Sequence, residues 1–258
     1  MKILAVGDVC GQRAVEFLEK NLQKIKDSLS VDFTIVNGEN AADIRGISAA
    51  DARSIWDSGA DLITTGNHVF GKKDIFPLLD SDKRIIRPEN YPAAAPGMGS
   101  AILNILGYRF LCINVQGTVY LDPLDNPFIA VEKILKREEG GYDFSLLDIH
   151  AEASSEKIAL ARHFDGRINI IWGTHTHVQT ADECILPKGT GYITDIGMTG
   201  PTDGVIGALA EPIIERFLTH TPQRFSVAEG KIRLCGALFE LDTSTGRVVR
   251  VERVVFDE

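Results

Sequence analysis

Five short strand-like runs, Ile3 to Val6, Phe33 to Val36, Asp61 to Thr65, Phe144 to Ile149 and Ile168 to Trp172, constrain this chain to a layered α/β fold. Between the first two, Ala14 to Ile25 carries apolar residues at helical spacing, which makes a β-α-β unit. The pattern repeats. Ser48 caps a predicted helix through Trp56, Lys72 to Leu79 reads as a short helix, and Phe128 to Arg137 and Ser154 to His163 read as longer ones. Two segments break the alternation. Ala101 to Leu106 and Arg109 to Asn114 flank Gly107-Tyr108 as a hairpin, and Lys231 to Leu241 and Arg247 to Val255 form another around residues 243–246. The spacing therefore predicts two layers of sheet, with a C-terminal antiparallel hairpin. Arg87 to Gly99 is rich in proline, glycine and alanine, but is a crossing segment too short to separate domains. Residues 1–258 are expected to form a single domain.

Hydrophobic residues are 44% and charged residues 24% of the 258, enough for a sizeable core without disulfides. Cys10, Cys112, Cys184 and Cys235 show no C-x-x-C spacing, and no apolar run approaches the roughly 18 residues of a membrane helix. The first strand begins almost at Met1, so a secretory leader is not expected and a reducing, cytoplasmic setting fits best. A net charge of -9 opposes binding of long nucleic acid but not of a small phosphorylated ligand. The sequence is compatible with a homo-oligomer.

Polar residues collect where the runs end: Asp8, Glu39 and Asn40, Asn67 and His68, His150, then His175 and His177. Singly, each has an ordinary explanation in a turn, a surface pair or a packed core. Jointly they point to one site, because carboxyl ends of parallel strands share a rim where ligands bind. In an extended strand, residues i and i+2 face the same way, so His175 and His177 could reach one metal or two adjacent ones. Eight carboxylate, amide and imidazole groups exceed what one ion needs, which implies two. The donor set suits iron, manganese or zinc, and Glu39 is the candidate bridging carboxylate.

Gly7-Asp8, Asn37-Gly38-Glu39-Asn40, Gly66-Asn67-His68, Asp148-Ile149-His150 and Gly173-Thr174-His175-Thr176-His177 resemble, in order, the sequence blocks of calcineurin-like metallophosphoesterases. The strings ENAADIRGIS, ITTGNHVF, RPENYP, HAEASSEKIAL, GTHTHVQTADE and ITDIGMTGP are similar to its bacterial YmdB-type subgroup over nearly the full chain. The resemblance implies a four-layer α/β/β/α sandwich and hydrolysis of small phosphodiesters such as 2′,3′-cyclic nucleotides. It implies that Asp8, Glu39, Asn40 and His177 hold one metal, and Glu39, Asn67, His150 and His175 the other. By analogy the metal is iron, alternatively manganese or zinc. A hydroxide shared by the two ions would attack phosphorus in line, with His68 as the general acid.

The chain departs from the pattern in places. Cys10 stands where the wider superfamily has a histidine, and reads as a buried structural residue rather than a ligand. Val69, Phe70-Gly71 and the Asp43-Ile44-Arg45 turn differ from the usual residues and bear on rate and specificity. Asp74 is the nearest acidic candidate to orient His68. Two rival readings are a phosphomonoesterase or protein phosphatase on the same site, and a metal-bound regulatory protein with little catalysis. No G-x-G-x-x-G follows the first strand, which opposes a dinucleotide-dependent oxidoreductase.

Overall fold

A computed structural model describes residues 1–43 and 45–258. The elements run β1 (Lys2–Val6), β2 (Asp8–Val9), α1 (Gln12–Leu29), β3 (Phe33–Asn37), α2 (Ala49–Asp57), β4 (Leu62–Thr64), α3 (Phe76–Ser81) and β5 (Ile85–Ile86). Then follow β6 (Ser100–Ile105), β7 (Tyr108–Gln116), α4 (Pro127–Arg137), β8 (Phe144–His150), α5 (Ser154–Phe164), β9 (Ile170–Thr174), β10 (Cys184–Ile185) and β11 (Gly191–Ile193). The chain closes with β12 (Met198–Pro201), α6 (Ala210–Thr219), β13 (Ile232–Asp242) and β14 (Arg247–Asp257).

In the first sheet, β1, β3, β4 and β5 are parallel neighbours, and β13 runs antiparallel to β1, β12 and β14. In the second, β11, β9, β8 and β7 are parallel, with β10 and β6 antiparallel at the edges. The period-two alternation of strand side chains builds the layers. Leu4, Val6, Val36 and Ile63 face α1 and α2 through Leu18, Leu22 and Ile55. Ile3, Ala5 and Ile35 turn the other way, against Phe110, Leu146, Trp172 and Phe239 between the sheets. Leu111, Leu147, Ile149 and Ile171 pack on Val131 and Ile134 of α4 and Leu160 and Phe164 of α5. Three apolar cores thus separate four layers, α/β/β/α. Central strands buried on both faces read as continuous apolar runs because neither face meets water.

Local chemistry sets several boundaries. Ser48 and Asp51 form a reciprocal capping box at the start of α2. The predicted helix over 72–79 is instead a short 3-10 turn, Lys73–Ile75, followed by α3, with Pro77 in the first turn, where its missing N–H costs nothing. The hairpin between β6 and β7 turns on Leu106 and Gly107, at φ 51° and 89°, rather than on Gly107-Tyr108. Among the described residues, no helix is long and apolar enough to cross a membrane.

Candidate metal centre

The parallel strands of both sheets end at one rim, so side chains from distant segments meet there. Cross-sheet contacts fix the alignment: Thr64 Oγ1 donates to Asp148 Oδ2 (2.6 Å), and the His175 N–H donates to Asp8 Oδ2 (2.8 Å). Glu39 and His150 are fully buried, and the His175 side chain is only 17% exposed.

His150 Nε2 lies 3.1 Å from Glu39 Oε2, 3.0 Å from Asn67 Oδ1 and 3.0 Å from His175 Nδ1. Its other ring nitrogen, Nδ1, sits 2.9 Å from Thr174 Oγ1, whose hydroxyl donates to Asp148 Oδ1 at 2.8 Å. That relay directs the Nδ1 proton to threonine and turns Nε2 toward the rim. A single proton on Nε2 satisfies one of the three facing acceptors, whereas a cation with several coordination positions satisfies them all. Glu39, His150 and His175 offer ligand atoms within 4.8 Å of one another. Gly66 keeps the space open: a Cβ there would lie 2.3 Å from both Glu39 Oε2 and His150 Nε2.

A second group adjoins it across Glu39. Asp8 is buried; its Oδ2 lies 3.5 Å from His177 Nε2, and its Oδ1 has no hydrogen-bond partner among the described residues. A buried carboxylate oxygen without a donor is costly, and a cation would remove the cost. His177 Nδ1 donates to the Ile206 carbonyl at 2.8 Å, which leaves Nε2 as an acceptor. Asn40 Nδ2 lies 3.3 Å from that nitrogen and donates to Glu39 Oε1 at 2.8 Å. Cys10 Sγ is 3.7 Å from His177 Nδ1, in a buried position. Burial first, then the charges of Asp8 and Glu39, push its pKa well up and keep the thiol protonated.

His68 flanks both groups, with its side chain 27% exposed. Its Nδ1 donates to Asn40 Oδ1 at 2.8 Å and lies 3.4 Å from Glu39 Oε1, while its backbone N–H donates to Glu39 Oε2 at 3.2 Å. Asp74 does not orient it: that carboxylate accepts from the Ala49 N–H at 3.1 Å, because the turn before α3 aims it at the start of α2. Ile44 lies outside the described residues. Of its neighbours, Asp43 pairs with Lys72 at 3.7 Å. Gly71 has a packing reason, since a Cβ there would sit 3.0 Å from Gly46 Cα, and Phe70 packs edge-on against Phe76 and Tyr91.

The charges interlock. Burial raises the pKa of Asp8 well above the usual carboxylate range, with the His150 charge opposing it. Burial also works against the Glu39 carboxylate, yet His150 and His68 hold its pKa well below the ordinary value. For His150, burial presses the pKa down and Glu39 overrides it, to about 9. Burial, then the neighbouring His150 charge, lower His175 to about 3, so its imidazole is neutral. Burial lowers His177 likewise. Without a metal, a proton on His150 thus supplies the positive charge at the centre.

The pair at 175 and 177 does not lie in a strand. β9 stops at Thr174, and both histidines adopt left-handed φ, 96° and 65°. The turn makes them diverge, His175 toward His150 and Glu152, His177 toward Asp8 and Asn40. Sequence reasoning passed over Glu152, whose Oε2 lies 3.2 Å from His175 Nε2, and Thr174, which holds His150. Glu152 stands two residues after His150, a spacing that could have marked it.

The family model described as YmdB-like protein matches residues 4–254. The chain is 44% identical to a Bacillus subtilis (strain 168) protein named 2′,3′-cyclic-nucleotide 2′-phosphodiesterase, across all of this chain and 98% of that one. A hypothetical protein of Thermus thermophilus has the same fold, with a TM-score of 0.95 at 40% identity and both chains fully covered. A phosphatase of Mycoplasma pneumoniae gives 0.94 at 33% identity, over 100% of this chain and 93% of that one. Agreement over nearly the whole length, in sequence and in fold, makes the chain a member of the YmdB-like family.

Proposed function

We propose that the chain is a phosphodiesterase that hydrolyses small phosphodiesters, 2′,3′-cyclic nucleotides among them, at a centre of two divalent transition-metal ions. The observation that carries this reading is the crowding of Glu39 Oε2, Asn67 Oδ1 and His175 Nδ1 around His150 Nε2, beside an Asp8 oxygen that has no partner among the described residues. The activity named for the B. subtilis relative supports the substrate class. Asp8, Glu39, Asn40 and His177 would hold one ion and Glu39, Asn67, His150 and His175 the other, with iron first and manganese or zinc as alternatives. For Asn40 to act through oxygen, its amide turns over so that Oδ1 replaces Nδ2 toward His177. A reducing cytoplasm suits ferrous ions and the free cysteines alike.

When bound, the ions draw electron density from the phosphoryl group and make water nucleophilic at neutral pH. The chain's own residues supply the rest. Glu39 ties the two ligand groups together, and the Thr174 and Asp148 relay holds the His150 ring so that Nε2 faces inward. With the Asn40 amide turned over, His68 Nδ1, 2.8 Å from that amide, accepts from Asn40 Nδ2, which directs the ring proton to Nε2, from where it is handed to the departing oxygen.

Elemental analysis of anaerobically purified protein, coupled to a substrate panel, tests the reading. A diesterase turns over bis(p-nitrophenyl) phosphate and 2′,3′-cyclic AMP in preference to p-nitrophenyl phosphate. The M. pneumoniae relative, named a phosphatase, favours a monoesterase as the second reading, and a preference for the monoester would establish it. Protein that takes up no transition metal under any loading condition would remove both.

A further inference from the structure

Lys157 of α5 and Asp195, just beyond β11, form an ion pair with Nζ to Oδ2 at 2.7 Å, their side chains 0% and 1% exposed. An ion pair this deep loses the hydration of both charges, and apolar residues of similar volume would hold the layers together as well. Its value therefore lies in what else it touches. Asp195 Oδ2 also accepts from the Thr176 N–H at 3.1 Å and the Thr176 hydroxyl at 2.8 Å, and Oδ1 accepts from the Gly197 N–H at 2.9 Å. Thr176 is the residue between His175 and His177, both in left-handed backbone that non-glycine residues keep only where the surroundings hold them. The Gly197 carbonyl in turn accepts from the Asp8 N–H at 3.2 Å. Lys157 reaches this junction across Gly173, where a Cβ would lie 2.6 Å from Lys157 Cδ.

We propose that Lys157 and Asp195 are positioning residues: the pair anchors Thr176 and so holds the turn from which His175 and His177 diverge. The consequence for metal binding rests on reading those histidines as ligands. A pair that merely staples α5 to the second sheet would affect stability alone. Lysine holds the carboxylate in place, and the carboxylate is needed because it accepts four bonds at once; an asparagine has a single acceptor oxygen.

Two variants avoid leaving an unpaired buried charge. Thr176→Val keeps the ion pair and cuts one link to the turn, and Lys157→Met/Asp195→Asn neutralises both partners together. In chelator-treated, 15N-histidine-labelled protein, the imidazole resonances of His175 and His177 should move in both variants while those of His163, at the far end of α5, stay. Cobalt(II) affinity should fall about ten- to a hundredfold, the range typical when residues supporting metal ligands are lost. The loss on a diester should lie in kcat rather than KM. Folded variants with wild-type His175 and His177 resonances and wild-type cobalt affinity would overturn the proposal. Resonances that move, in a protein whose wild type binds no cobalt, would uphold the positioning role and discard the metal reading.

Discussion

Replacing His68 by alanine separates acid catalysis from metal holding. The imidazole is 27% exposed, and its ring meets Asn40 Oδ1 and Glu39 Oε1. The bond from its backbone N–H to Glu39 survives the change. Stability should therefore shift by no more than about 1 kcal/mol, and metal content should not fall. Loss of a positioned acid slows the reaction by about a hundredfold to ten-thousandfold, equivalent to about 2.7 to 5.4 kcal/mol in the barrier. The size should follow the leaving group. Opening 2′,3′-cyclic AMP expels an alkoxide that needs a proton, whereas bis(p-nitrophenyl) phosphate expels a stabilised phenolate that needs little help. The deficit in kcat/KM should be at least about tenfold larger for the cyclic nucleotide. Metal-loaded wild type and His68→Ala, compared on both substrates with the metal per chain measured in parallel, make the assay. Equal deficits on the two substrates, or an unchanged rate on the cyclic one, would refute the acid role.

Glu39→Ala and His175→Ala should each lose bound metal, read by elemental analysis after identical loading; retention of both ions would remove the residue from the ligand set. Gly66→Ala inserts a methyl 2.3 Å from Glu39 Oε2 and His150 Nε2, so cobalt(II) titration should show affinity reduced by more than about tenfold while the strands around it still fold. The third expectation concerns pH. His150 has its folded pKa raised from 6.5 to about 9, so its contribution to stability is full below 6.5 and is lost as pH climbs through about 9. Chelator-treated protein should show Tm falling across that window, and metal uptake at neutral pH should release at least about one proton per chain, that of His150, into a weakly buffered indicator solution. A flat Tm, or uptake without proton release, would contradict the protonated His150 of the metal-free state.

What could be read along the chain, and what could not, divides by the range of the interaction. Parallel strands alternating with helices force their carboxyl ends onto one rim, so the sequence alone groups residues as far apart as Asp8 and His177. The pleat argument for His175 and His177 reached the right neighbourhood by the wrong geometry. The strand ends at Thr174, before either histidine, and the left-handed turn sends the rings to different partners. Left-handed φ at a histidine leaves no local signature, since it is imposed by Asp195, Asp8 and the Ile206 carbonyl from elsewhere. The same holds for His68, which Asn40 steadies rather than Asp74, because strand placement and not sequence proximity decides which side chains face each other. One clue was present and went unused. Asp148 sits inside the apolar run Phe144 to Ile149, and a carboxylate in a strand buried on both faces must find donors. It finds them in Thr64 of the other sheet and in Thr174 of the neighbouring strand. Lys157 posed the same question from α5, where a lysine on an amphipathic helix would ordinarily be given to solvent. Its burial against Asp195 shows that polar groups at apolar positions, and not the histidines alone, carry the information about how the rim is held in shape.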